Sequence, residues 1–101
     1  MPPVTVLFHR LADNEYQKAF RWYRRRSVKT ADSFEAQMKQ AVDDITANPQ
    51  QWPLLDHVHR WIHVRRFPFF LYYRILNNSE VLIMAVAHGR RKPGYWRRRK
   101  P

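Results

Sequence analysis

The sequence predicts an α+β domain in the order β-α-α-β-β-β: an antiparallel helical hairpin packed on one face of a four-stranded, mainly antiparallel sheet. Three observations support this. Two stretches before residue 48 repeat apolar residues at helical period. Three later runs rich in Val, Ile, Phe and Tyr are separated by a Pro and by Asn77-Asn78-Ser79. A short β-branched run lies ahead of both helices.

Taken in order, Val4 to Phe8 form the first strand, with the Pro residues kept ahead of it. Asp13 or Asn14 is the expected N-cap of the first helix. Tyr16, Ala19, Phe20 and Tyr23 then fall at i, i+3, i+4 and i+7 and make one apolar stripe. Lys18, Arg21, Arg24 and Arg25 lie largely off it, and the Arg24–Arg26 cluster suits a helix C-terminus. Thr30 is the expected cap of the second helix, whose stripe is Ala31, Phe34, Met38, Ala41, Val42 and Ile45. Asn48-Pro49 stops it, because Pro disfavours helical backbone in the residue before it. A link of about 4 residues forces the two helices antiparallel. Trp52, between Pro49 and Pro53, reads as a loop anchor that closes the hydrophobic edge.

In the next strand Ile62 and Val64 face one way, and Trp61, His63 and Arg65 the other. After Pro68, Phe69, Leu71, Tyr73 and Ile75 share one face and Phe70, Tyr72, Arg74 and Leu76 the opposite one. Strict alternation in the last strand sets Val81, Ile83, Ala85 and Ala87 against Leu82, Met84 and Val86. A strand apolar on both faces belongs in the centre of a sheet or under a second cover. One hairpin covers one face only, so the other needs a tail, a dimer mate or another chain.

A length of 101 residues suits one domain with a modest core, and 45% hydrophobic content suits a folded chain. The division expected is a domain over residues 1–96 and a basic tail over 97–101. Charge is lopsided. Residues 1–56 hold 8 Lys/Arg and 7 Asp/Glu, whereas residues 57–101 hold 11 Lys/Arg against Glu80 alone. Such a block faces an anionic partner or stays solvated. The absence of Cys excludes disulfides and thiolate zinc sites. No apolar run approaches the roughly 18 residues of a membrane span, so no membrane association is expected. Met1-Pro2-Pro3 leads into a strand, not a signal peptide, and a cytoplasmic protein is the expectation.

Several phrases, in this order, resemble the RelE/ParE superfamily of type II toxin–antitoxin toxins, which includes plasmid stabilisation proteins. They are Ala19-Phe-Arg-Trp-Tyr23, Phe34-Glu-Ala36, Asp44-Ile45 with Asn48-Pro49, Arg65-Arg-Phe-Pro-Phe69 with Tyr72-Tyr-Arg-Ile75, and Ala85-Val-Ala-His-Gly-Arg-Arg91 with Pro93-Gly-Tyr-Trp96. The resemblance implies a small basic protein that halts growth when free. It also implies a cognate antitoxin that wraps the sheet and the basic C-terminal half in a toxin–antitoxin hetero-oligomer. RelE-like members cut messenger RNA on the ribosome; ParE-like members poison DNA gyrase. Trp61 and His63 stand roughly where RelE-like proteins carry lysines, and Phe70 where they carry an arginine. Arg90 or Arg91 and Tyr95 match the terminal part of that pattern. The His-Gly-Arg-Arg ending and the Phe-Pro-Phe turn are similar to the ParE-like branch. Gyrase is therefore the expected target, with ribosome-dependent cleavage of messenger RNA, or a degenerate non-toxic module member, as the alternatives.

Cleavage of RNA by its own 2′-hydroxyl needs a base, an acid and cations for the phosphorane. If the chain is a nuclease, His63, His88, Tyr95, Arg65, Arg90 and Arg91 are the candidates, acting without metal. The alternative is that the arginines bind an acidic antitoxin tail and His88 merely ends a strand. His57, His59 and His63 alternate onto one strand face with only Asp56 nearby, a thin ligand set. No metal or other cofactor is expected. Arg97–Lys100 is read either as a phosphate-binding tail or as a solvated terminus. Trp96 beside Tyr95 suits stacking on a base or docking on the sheet.

Overall fold

A computed structural model describes residues 4–101, so the expected role of Met1-Pro2-Pro3 lies outside the described residues. The elements are β1 (Thr5–Phe8), α1 (Arg10–Arg26), α2 (Val28–Ala47), β2 (His59–Val64), β3 (Phe69–Asn77) and β4 (Glu80–His88). The fold is the expected α+β arrangement. The sheet runs β1-β4-β3-β2, with β1 parallel to β4 and the other two pairs antiparallel. β4 is central and buried from Val81 to Ala87, as its two-faced hydrophobicity requires.

Both helix starts differ from expectation. α1 begins four residues early, because His9 and not Asp13 or Asn14 caps it: His9 Nδ1 accepts from Leu11 N at 3.0 Å. Histidine is outside the usual capping set, but an unprotonated ring nitrogen is a competent acceptor. Its Nε2 lies 2.7 Å from the Lys100 carbonyl, which places the ring proton there. α2 also starts early, capped by Ser27 and not Thr30. Ser27 donates its N–H to Tyr23 O at 2.8 Å while its Oγ accepts from Thr30 N at 3.1 Å. One residue thus closes one helix and opens the next, replacing the expected four-residue link.

The helix stripes and one sheet face form the main core, with Phe34, Ile45, Leu71, Tyr73 and Ile83 fully buried. Phe34 stacks on Tyr16 at 5.6 Å and meets Phe67 and Phe69 at 5.1 and 5.4 Å. Tyr73 donates its hydroxyl to Pro49 O at 2.6 Å, and burial pushes its pKa up to about 12. Trp52 is tied at the edge of this core, its Nε1 donating to Asp44 O at 3.3 Å.

β4 breaks the strict alternation expected of it. Tyr72 pairs with Ala85 but Tyr73 pairs with Ile83, so Met84 is an extra residue, a β-bulge. Met84 and Ala85 therefore share the face away from the helices, with Leu82 and Ala87, whereas Val81, Ile83 and Val86 face the helices. The expected grouping of Ala85 with Val81 and Ile83, and of Val86 with Leu82, is reversed beyond the bulge.

Over β4 the second face is covered by the chain itself, whereas His63 and Leu76 on the same face are exposed and Trp61 and Phe70 are half-buried. Trp96 is fully buried on it, stacked 4.9 Å from Tyr72 and edge-on to His59 at 4.6 Å, with Leu55 and Tyr95 alongside. Trp96 docks on the sheet. Beyond it, Arg97 and Arg99 pair with Asp56 and Glu15. Asp56 also accepts from Val58 N, His59 N and His59 Nδ1. Burial opposes its ionisation, but these hydrogen bonds outweigh that and hold the carboxyl well below the usual range.

Candidate functional site

β1 ends at Phe8, so the outer edge of β4 beyond Ile83 has no neighbouring strand. Side chains satisfy it instead. Glu15, reaching down from α1, accepts from Val86 N at 3.1 Å, and Arg99 donates to Met84 O at 2.9 Å. The two pair bidentately at 2.8 and 3.0 Å, and the Tyr95 hydroxyl donates to the same carboxylate. Burial, then the hydrogen bond to Glu15, raises the Tyr95 pKa, while the hydrogen bond to Glu15 raises that of Arg99. Residue type and spacing alone do not single out Glu15. The one available signal is its isolation: it and Asp13 are the acids of a helix with six Lys/Arg.

Above this network, a cavity of about 490 Å³ opens between α1 and the end of β4. Ala19, Tyr23, Pro68, Phe69 and Val86 give it an apolar floor, and Lys18, Trp22, His88 and Arg91 stand among its other lining residues. Trp22 is half exposed. The turn after β4 sets the arginines. His88 Nδ1 accepts from Arg90 N at 3.0 Å, and Arg91 N donates to His88 O at 2.9 Å. Gly89 N bonds Pro68 O at 2.8 Å, and a Cβ at Gly89 would sit 3.2 Å from the Phe70 ring. Arg90 and Arg91 are exposed, and the Arg91 guanidinium lies over the Tyr95 ring at 3.8 Å.

Of the six candidate residues, His88, Arg91 and Tyr95 line this one cavity. Arg90 is beside it on the turn. His63 is elsewhere: it pairs with Phe70 in the register, packs on that ring at 5.0 Å, and its Nε2 lies 2.7 Å from Phe67 O. Phe70 faces away from the helices, whereas Phe69, which packs on His88 at 5.3 Å, faces them. The two histidines are thus on opposite faces of the sheet. Arg65 is exposed on the β2–β3 turn, where Arg66 takes the left-handed φ of 71°. His57 is exposed outside β2, His59 is bound to Asp56, and among the described residues no three His, Asp or Glu side chains cluster to hold a metal.

The sequence itself matches a known family. The model of the ParE toxin of type II toxin–antitoxin systems (parDE) matches residues 6–93, and the chain belongs to that family. A solved structure of the chromosomal ParDE TA system from P. aeruginosa is similar in fold. Its TM-score is 0.69 at 16% identity, over 84% of this chain and 95% of that one. No curated protein matches. The protein is the toxin of a type II toxin–antitoxin pair, and no helix among the described residues is long and apolar enough to cross a membrane.

Proposed function

We propose that this toxin halts growth by binding DNA gyrase in the cytoplasm and does not cut messenger RNA. A cognate antitoxin neutralises it in a hetero-oligomer, laid over the sheet and the basic C-terminal half. Division of the acid–base candidates is the observation that most supports this reading. His63 and His88 occupy opposite faces of the sheet, and the Tyr95 proton is committed to Glu15. Metal-free transesterification needs a base and an acid within hydrogen-bond reach of one phosphate. Arg90 and Arg91 instead project from a turn fixed by a buried strand, which suits contact with a large partner.

The test is induction of the toxin alone in a growing bacterium, with messenger RNA integrity and DNA breaks read from the same culture. DNA breaks with intact messages, and loss of supercoiling by purified gyrase, are the expected result. Cut messages with intact DNA select the nuclease, and undisturbed growth selects a degenerate member; either outcome overturns the proposal.

A further inference from the structure

The near-neutral charge of the first half of the chain averages two unlike helices. α1 carries six Lys/Arg against Asp13 and Glu15, whereas α2 carries Lys29 and Lys39 against four acids. Glu15 is turned inward and bound by Arg99. Lys18, Arg21 and Arg25 recur at i, i+3 and i+7, so they share one exposed face spanning roughly 10 Å of helix. None of the three is in an ion pair among the described residues. Lys18 also lines the cavity to which Arg91 contributes.

From this arrangement we infer that the outer face of α1 docks on the phosphate backbone of duplex DNA, a contact separate from the proposed inhibition of gyrase. A row of cations fixed on a helix meets regularly spaced phosphates without reading bases. An unpaired strand is a poorer fit, because it needs free aromatic faces on which bases stack. Here Arg26 covers Trp22 at 3.5 Å, Arg91 covers Tyr95 at 3.8 Å, and Trp96 is buried against Tyr72. An acidic peptide fits less well too, since peptide docking draws on apolar anchors and Trp22, the one aromatic residue within this row, is capped by the Arg26 guanidinium.

The experiment is fluorescence anisotropy of the full chain on a labelled duplex of about 24 bp, titrated across about 50 to 200 mM salt. The same sequence as an unpaired DNA strand, the same sequence as duplex RNA, and polyglutamate serve as the comparison ligands. Arg21→Gln/Arg25→Gln is expected to lower the slope of log K against log salt by about 1.8, at about 0.9 for each phosphate no longer neutralised. Each single variant is expected to lower it by about half as much, which guards against misfolding of the double. Lys29→Gln/Lys39→Gln removes the same charge from α2 and is expected to leave the slope unchanged. Three outcomes overturn the inference: no binding at the lowest salt, equal losses in the two double variants, or tighter binding of any comparison ligand than of duplex DNA.

Discussion

The Tyr95 hydroxyl donates to the Glu15 carboxylate across 80 residues of sequence, joining the C-terminal segment to the first helix. The same carboxylate holds Arg99 and the Val86 amide, so one acid organises a helix, a strand edge and the end of the chain. A strand edge left unpaired is an aggregation hazard, and here two side chains occupy it.

Glu15→Ala is accordingly expected to cost about 3 kcal/mol, since it leaves Arg99 and the Val86 N–H without their acceptor. Arg99→Ala is expected to cost less, because Glu15 keeps Tyr95 and Val86 N. Urea unfolding of the two variants gives the ranking. If Arg99→Ala is the more damaging, the guanidinium on Met84 O, and not the carboxylate, is the main edge cap.

Leu71 and Arg74, on opposite faces of β3, differ in the same way. Leu71 is fully buried in the main core, and Leu71→Ala is expected to cost about 2–5 kcal/mol. Arg74 is half-buried, and its Nε has no hydrogen-bond partner among the described residues, so Arg74→Ala removes no bond at that atom and is expected to cost much less. Thermal or urea denaturation measures both. A reversed ranking would place β3 one residue out of register, with its faces exchanged.

Periodicity makes most of this fold readable, and local hydrogen bonding hides the rest. The stripes from Tyr16 to Tyr23 and Ala31 to Ile45, and the alternation of Phe69, Leu71, Tyr73 and Ile75, predict the core that forms. Met84 marks a limit, because Val81 to Ala87 is apolar at every position and no pattern shows where an extra residue enters. His9 and Ser27 mark another, since a cap depends on one side-chain acceptor meeting one amide. Within the candidate site, the sequence points to His88, Arg91 and Tyr95, which line one cavity at and after the end of β4. Glu15 escapes such a reading because its role depends on where β1 stops. Separation of His63 from His88 follows from pleat and register, beyond the reach of residue type alone.

Asp56 sets an acid dependence with a definite sign. Its folded pKa lies below the unfolded value of about 4, because hydrogen bonds from His59, Val58 and Arg97 outweigh its desolvation. The folded state therefore binds fewer protons at this group, and the stabilisation is complete above about pH 4 and lost as pH falls through the lower folded value. Asp56→Asn is expected to be less stable than the parent at about pH 5, with the gap narrowing steadily as pH is lowered. Urea midpoints at a series of pH values check it. A gap independent of pH would show that Asp56 acts as a neutral turn residue only.

Arg90 and Arg91 are exposed on the turn that closes β4, outside both cores, so Ala at both positions is expected to leave the fold intact. Under the proposed function the double variant loses growth inhibition, because the cations fixed by His88 and the buried strand are gone. Tyr95 then separates binding from catalysis. Tyr95→Phe removes the hydroxyl that donates to Glu15, but Arg99 and Val86 N still satisfy that carboxylate, so the loss is about 1 kcal/mol. Inhibition by a protein that binds gyrase is expected to survive such a loss almost unchanged. A nuclease that uses Tyr95 as its acid would instead lose roughly 10²–10⁴-fold in cleavage. Growth curves and message integrity for Tyr95→Phe, beside the Arg90→Ala/Arg91→Ala variant, read both effects. Full toxicity in the folded double arginine variant would move the inhibitory surface away from the end of β4.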